Sequence, residues 1–137
     1  MAIFFHTEDA IYNIKQRRRY KSWLKNVLVS ERKTLGEINI IFCSDEYLLK
    51  VNQMYLNHDY FTDIITFNYN DETCINGDLF LSIDRIKENA AELSLGFIQE
   101  LNRVMVHGVL HLLGYDDHSP EDILRIREKE SYYLTKF

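Results

Sequence analysis

Proline occurs once in the 137 residues and glycine five times. That scarcity argues against long flexible or extended linkers and points to a chain folded throughout. Cysteine occurs twice, at Cys43 and Cys74, with no C-x-x-C spacing. A disulfide framework is therefore not expected, and Cys43, within an apolar run, reads as a small core residue. No apolar run approaches the 18 or so residues that a membrane span requires, and no apolar segment follows a basic head at the N-terminus. The expectation is a cytoplasmic protein with no membrane partner. An overall basic balance is missing too, since the net charge is −5. The cations are nonetheless unevenly placed: Lys15, Arg17, Arg18, Arg19, Lys21 and Lys25 come with no acid among them. Such a run suits phosphate contacts as well as it suits a solvated helix face.

The length suits one domain with one core, taken as residues 1–137. Ile3 to Phe5 reads as a short strand, and Ile11 to Ile14 as a partner strand or an irregular stretch. Apolar residues at Tyr20, Trp23, Leu24, Val27 and Leu28 recur at helical spacing between Arg17 and Glu31. Glu37 to Cys43 is a strand rich in isoleucine. Ser44 then caps a helix with Asp45 and Glu46 in its first turn, ending near Asn57. His58 to Thr62 is a loop, in which Asp59, Thr62 and the following Asp63 read as turn or cap residues. Asp63 to Tyr69 and Gly77 to Ser82 pair as a hairpin across a polar turn. A helix from Asp84 to Leu95 ends at Gly96, and another runs from Phe97 to Leu113. Leu101, Val104, Met105 and Val109 turn inward on it. The last helix starts at Pro120 behind Ser119 and reaches Leu134. The expected fold class is α+β, a small mixed sheet of about four strands packed with about five helices.

The chemistry concentrates in Met105 to His118. His107 and His111 stand four apart, so both imidazoles leave one face of a helix about 6 Å apart along its axis. H-x-x-x-H pairs bind zinc with this geometry. Gly114 can take a left-handed conformation and turn the chain back. The returning segment offers Asp117 or His118 as the third ligand: imidazole is the commoner donor, while the register favours Asp117. Three ligands with one open position make a catalytic metal site. The bland alternative is a pair of hydrogen-bonded core histidines with no ion. Zinc peptidases carry a glutamate after the first histidine, and here that position is Gly108, which disfavours peptide hydrolysis.

Two segments and a strand resemble the YbeY family of single-metal endoribonucleases, bacterial rRNA maturation factors. HGVLHLLGYDD at His107–Asp117 is similar to H-G-x-L-H-L-x-G-Y-D-H, NQMYLNHDYFTDIITF at Asn52–Phe67 to N-x-x-Y-R-x-x-D-x-x-T-D-V-L-S-F, and GDLFLS at Gly77–Ser82 to G-D-I-x-I-S. Order and spacing agree from about Glu37 onward. The resemblance implies one zinc ion, RNA as substrate with no DNA, and action at the 3′ end of small-subunit rRNA beside the ribosome. Two positions depart from it. The third histidine falls at Asp117, with His118 next to it, and the family's arginine falls at Leu56. His58, two residues on, is either the replacement cation or a loop residue with no role; taken as the cation, it makes the expected catalytic residues His58 and Asp117. The expected ligands come from His107, His111, Asp117 and His118. A ribosome-bound factor with a structural metal is the rival from another class.

Overall fold

The isoleucine-rich run after Gly36 lies at the centre of the protein, as its composition requires. A computed structural model describes residues 2–58 and 60–137; Asp59, a candidate loop cap, lies outside the described residues. In chain order the elements are β1 (Ala2–Thr7), α1 (Arg17–Ser30), β2 (Leu35–Cys43), α2 (Asp45–Leu56), β3 (Ile64–Asn68), β4 (Ile75–Ser82), α3 (Ile83–Glu92), α4 (Phe97–Leu112) and α5 (Pro120–Leu134). The strand order is β1-β2-β4-β3. β1, β2 and β4 run parallel, and β3 returns antiparallel to β4 as the expected hairpin. The α+β sheet-and-helix architecture expected from the pattern is what the chain adopts.

Two kinds of local signal set the helix starts. Ser44 Oγ accepts the Tyr47 N–H at 3.1 Å, and Ser119 Oγ accepts the Asp122 N–H at 3.1 Å. Each leaves acids in the first turn, where the helix dipole favours them. One open reading is decided and one expectation corrected. Of the two readings for Ile11 to Ile14, the irregular stretch is the one adopted: Ile14 is buried and Tyr12 packs edge-on against Phe42 and Phe97. Gly96 does not end α3. That helix stops at Glu92, Ser94 takes the left-handed turn (φ 55°), and the Gly96 N–H is capped by Gln99 Oε1 at 3.0 Å, so Gly96 opens α4.

α4 is the element that places the chemistry. Leu101, Val104, Met105 and Val109 are fully buried between the sheet and the helices α3 and α5, each side chain contributing on the order of 1.5–3 kcal/mol. Gly108 lets this helix lie close on the sheet, because a Cβ there would fall 2.5 Å from Ile64 Cδ1. The position at which a zinc peptidase keeps its general base is thus taken up by packing. At its C-terminal end the Leu112 carbonyl accepts Asn70 Nδ2 at 2.7 Å, pinning the helix to the β3–β4 turn. No helix among the described residues is long and apolar enough to cross a membrane.

Candidate metal centre

One stripe of α4 breaks the apolar pattern. Glu100, Arg103, His107 and His111 succeed each other at three- and four-residue steps, which stacks them on one face. His107 and His111 rings meet nearly edge-on, 4.5 Å between centroids at 85°. Their far nitrogens are fixed by acceptors: His107 Nδ1 lies 2.6 Å from Glu130 Oε2, and His111 Nδ1 lies 2.9 Å from the Tyr115 carbonyl oxygen. A carbonyl oxygen can only accept, so the proton of neutral His111 sits on Nδ1, and Glu130 assigns the same tautomer to His107. Both Nε2 lone pairs then point at one another across 2.9 Å. Asp117 Oδ2 closes the triangle at 3.5 Å from His111 Nε2 and 3.8 Å from His107 Nε2.

Three lone-pair donors converging on one point repel each other unless a cation lies between them. Donors about 2.05 Å from a tetrahedral ion sit about 3.3 Å apart, and the three observed separations bracket that value. Among the described residues, His107, His111 and Asp117 are the one group of this kind able to hold an ion. The donor set fits a divalent metal. Of the two residues offered for the third position, Asp117 is the one brought into reach. His118 is exposed and turned towards Asp116, 3.7 Å from its Oδ1. The bend at Gly114 decides this one-residue difference.

The bend is itself anchored. Gly114 has φ 101° with open space where a Cβ would go, so a side chain there meets backbone strain alone. Gly114→Ala is expected to lower stability by about 1–2 kcal/mol, read by chemical denaturation of the apoprotein. Beyond it the Tyr115 hydroxyl donates to Glu31 Oε1 at 2.6 Å. Glu31, the residue capping α1, also accepts from the Tyr133 hydroxyl and from Lys129 Nζ. Burial pushes the Glu31 carboxyl up, but these hydrogen bonds and the Lys129 charge outweigh it and hold it below the usual range.

Behind His107 lies a charged cluster with buried glutamates that no motif in the sequence announced. Glu100 and Glu130 are buried. Arg103 donates Nε to Glu100 Oε1 at 2.7 Å and Nη1 to Glu130 Oε1 at 3.5 Å, and these carboxylates raise its already high pKa. Asp63 is not a loop cap: its Oδ2 accepts Asn89 Nδ2 at 3.2 Å and lies 4.0 Å from Arg103 Nη2. Burial raises the Asp63 pKa, with Arg103 and His107 opposing the shift. Glu100 and Arg103 were legible as charges sharing the histidine face of an apolar helix, since buried charges need partners. Glu130, on another helix, was not.

The donors open onto a groove of about 490 Å³ whose far wall includes Asn52, Leu56, His58, Tyr60 and Thr66. His58 therefore faces the same space as the ligands. Its Nδ1 is 3.0 Å from the Tyr60 hydroxyl, and the two rings stack at 5.2 Å. Thr62 bonds locally, to the Ile64 carbonyl at 3.4 Å.

The YbeY profile, described as Endoribonuclease YbeY, matches residues 3–137. The chain belongs to the YbeY family. It is 48% identical over 126 residues to the Endoribonuclease YbeY of Flavobacterium psychrophilum, covering 92% of this chain and 90% of that protein. With the Endoribonuclease YbeY of Bacteroides thetaiotaomicron it shares 45% identity over 134 residues, 98% of each chain. The fold is similar to the solution structure of TM1509 from Thermotoga maritima, with a TM-score of 0.68 and 27% identity over 96% of this chain and 86% of that one.

Proposed function

We propose that this chain, as one domain over residues 1–137, is a zinc-dependent endoribonuclease that hydrolyses RNA phosphodiester bonds in rRNA maturation, at the 3′ end of small-subunit rRNA. Family membership and the endoribonuclease names of its relatives support the reaction class. The observation that carries it is the convergence of His107 Nε2, His111 Nε2 and Asp117 Oδ2 on one point at the wall of an open groove. Two imidazoles and a carboxylate with an open side are a donor set of catalytic zinc. When bound, the ion supplies Lewis acidity and a water nucleophilic at neutral pH.

The chain's own groups do the rest. Glu130 and the Tyr115 carbonyl keep each imidazole in the tautomer that offers Nε2. Leu56 and Ile64 make part of the groove wall apolar, which strengthens charge interactions inside it. As the candidate cation, His58 donates at both ring nitrogens, from Nδ1 to the Tyr60 hydroxyl oxygen 3.0 Å away and from Nε2 to a phosphate oxygen. It stands in for the arginine that the family places at Leu56. Gly108 stands where zinc peptidases carry their glutamate base, which disfavours peptide hydrolysis.

Zinc analysis and RNA cleavage of wild type, Asp117→Ala and His118→Ala, side by side, test this reading. Wild type is expected to hold one zinc per chain and cut RNA. Asp117→Ala is expected to lose affinity beyond the 10–100-fold typical of a group one shell further out, and cleavage with it. His118→Ala keeps both. A zinc-loaded wild type without turnover on any RNA overturns the enzymatic role, and loss of zinc from His118→Ala overturns the ligand set.

A further inference from the structure

Arg18, Lys21 and Lys25 follow one another at helical spacing on α1, and all three are exposed. The opposite face of α1, Tyr20, Trp23, Leu24, Val27 and Leu28, is buried, so the helix is fixed and its cations stand at set intervals. Lys21 and Lys25 are about 6 Å apart along the axis, comparable with the step between successive phosphates of a nucleic acid strand. Arg85, Arg103 and Lys129 are by contrast engaged with Asp45, Glu100 and Glu31. Arg18, Lys21 and Lys25 have no ion-pair partner among the described residues. With Ser22 they line a groove of about 450 Å³ against Ala2, Ile3 and Leu35, and no acid lines it.

Topology relates this groove to the metal centre. β1, β2 and β4 begin at the end of the sheet where α1 and α4 finish. Leu35 pairs with Ile75, Gly77 abuts Leu112, and Glu31 at the end of α1 reaches Tyr115 of the metal loop. The groove lies at the β1 edge and the metal cleft at the β3 edge. The β1 and β3 strands themselves stand three strand spacings, about 14 Å, apart, so a strand of several nucleotides joins the two edges.

We propose that the groove between β1 and α1 is a docking track for the phosphodiester backbone of RNA whose cleaved segment lies in the metal cleft. Arg18, Lys21 and Lys25 each take a phosphate, with no reading of bases. The proposal rests on the endoribonuclease reading and adds where the flanking strand runs. Three point cations in succession, with no acid opposite them, suit the repeating charge of a phosphodiester backbone better than the irregular charge of an acidic peptide.

The test compares zinc-loaded wild type with Arg18→Gln/Lys21→Gln/Lys25→Gln and a charge-matched control, Lys50→Gln/Lys87→Gln/Lys136→Gln, on a long single-stranded RNA and on an oligonucleotide short enough to fill the cleft alone. The α1 variant is expected to show KM raised on the order of tenfold or more for long RNA, unchanged kcat and zinc content, and wild-type kinetics on the short substrate. Its slope of log affinity against log salt falls by about 0.7 for each phosphate that is no longer neutralised. The control keeps wild-type KM on both. An unchanged KM or slope for the α1 variant, an equal loss on the short substrate, or an equal loss in the control overturns the docking track. So does displacement of long RNA from wild type by polyglutamate as effective as by polyphosphate, which points to an acidic peptide instead. A wild type that cuts neither substrate fails the endoribonuclease reading itself, a result distinct from wild-type cleavage that the α1 changes leave untouched.

Discussion

His111→Ala is expected to yield a folded protein that holds no zinc and cuts no RNA. The fold survives because what His111 gives the scaffold is small. Its ring is partly exposed, and its one bond to the backbone is to the Tyr115 carbonyl. Tyr115 stays in place through its own N–H to the Leu110 carbonyl and its hydroxyl to Glu31. One net hydrogen bond is worth on the order of 1 kcal/mol, which a melting curve resolves without loss of the native state. The site fares differently. Removing one of three donors leaves His107 Nε2 and Asp117 Oδ2, 3.8 Å apart, and two ligands do not hold zinc in a solvent-open groove. Cleavage is expected to fall by more than about 100-fold, beyond the range seen when an outer partner of a ligand is removed. Elemental analysis, a thermal melt and single-turnover cleavage read the three quantities on one preparation. Chelation of the wild type should reproduce the variant. Full cleavage by metal-free His111→Ala removes the metal from the mechanism.

The parts of this molecule readable from the sequence are those whose cause lies within about one helical turn. α1 shows in the spacing of Trp23, Leu24, Val27 and Leu28, α2 and α5 in the Ser44 and Ser119 caps, and the histidine pair in its four-residue step. What stayed hidden depends on packing between distant segments. Ile11 to Ile14 has strand composition, but β1 meets β2 directly and leaves that stretch no partner. Gly96 looked like a helix end because glycine favours the left-handed turn, yet Ser94 adopts it two residues earlier. The choice between Asp117 and His118 turned on how the chain leaves Gly114, which Tyr115 settles through Glu31, 84 residues away in sequence. The charged groups behind the site obey the same division. Glu100 and Arg103 share the α4 face with His107, whereas Glu130 arrives from α5.

Glu130 carries the second large effect. It is buried, and each of its oxygens serves a different group: Oε2 faces His107 Nδ1 at 2.6 Å and Oε1 faces Arg103 Nη1 at 3.5 Å. Glu130→Ala strips both at once. Arg103, its side chain 28% exposed, keeps Glu100, so no buried charge is left uncompensated and the loss stays below that of a broken buried pair, about 3–5 kcal/mol. The imidazole loses the acceptor that fixes its tautomer, so zinc affinity should fall about 10–100-fold. Glu130→Gln separates these roles. It keeps the volume and a carbonyl oxygen able to accept the His107 N–H, so the protein folds with a loss of about 1–3 kcal/mol. Its neutral amide polarises the ring less than a carboxylate does, and affinity should still drop, by roughly tenfold at the lower end of the same range. Zinc titration with a chromophoric competitor, at a temperature where both variants are native, distinguishes positioning from mere support of the fold. A supporting role lowers the melting temperature and leaves the zinc Kd of the folded protein unchanged. A positioning role moves the Kd in the order wild type, Gln, Ala, and wild-type zinc affinity in folded Glu130→Ala would show that His107 needs no partner to present its Nε2.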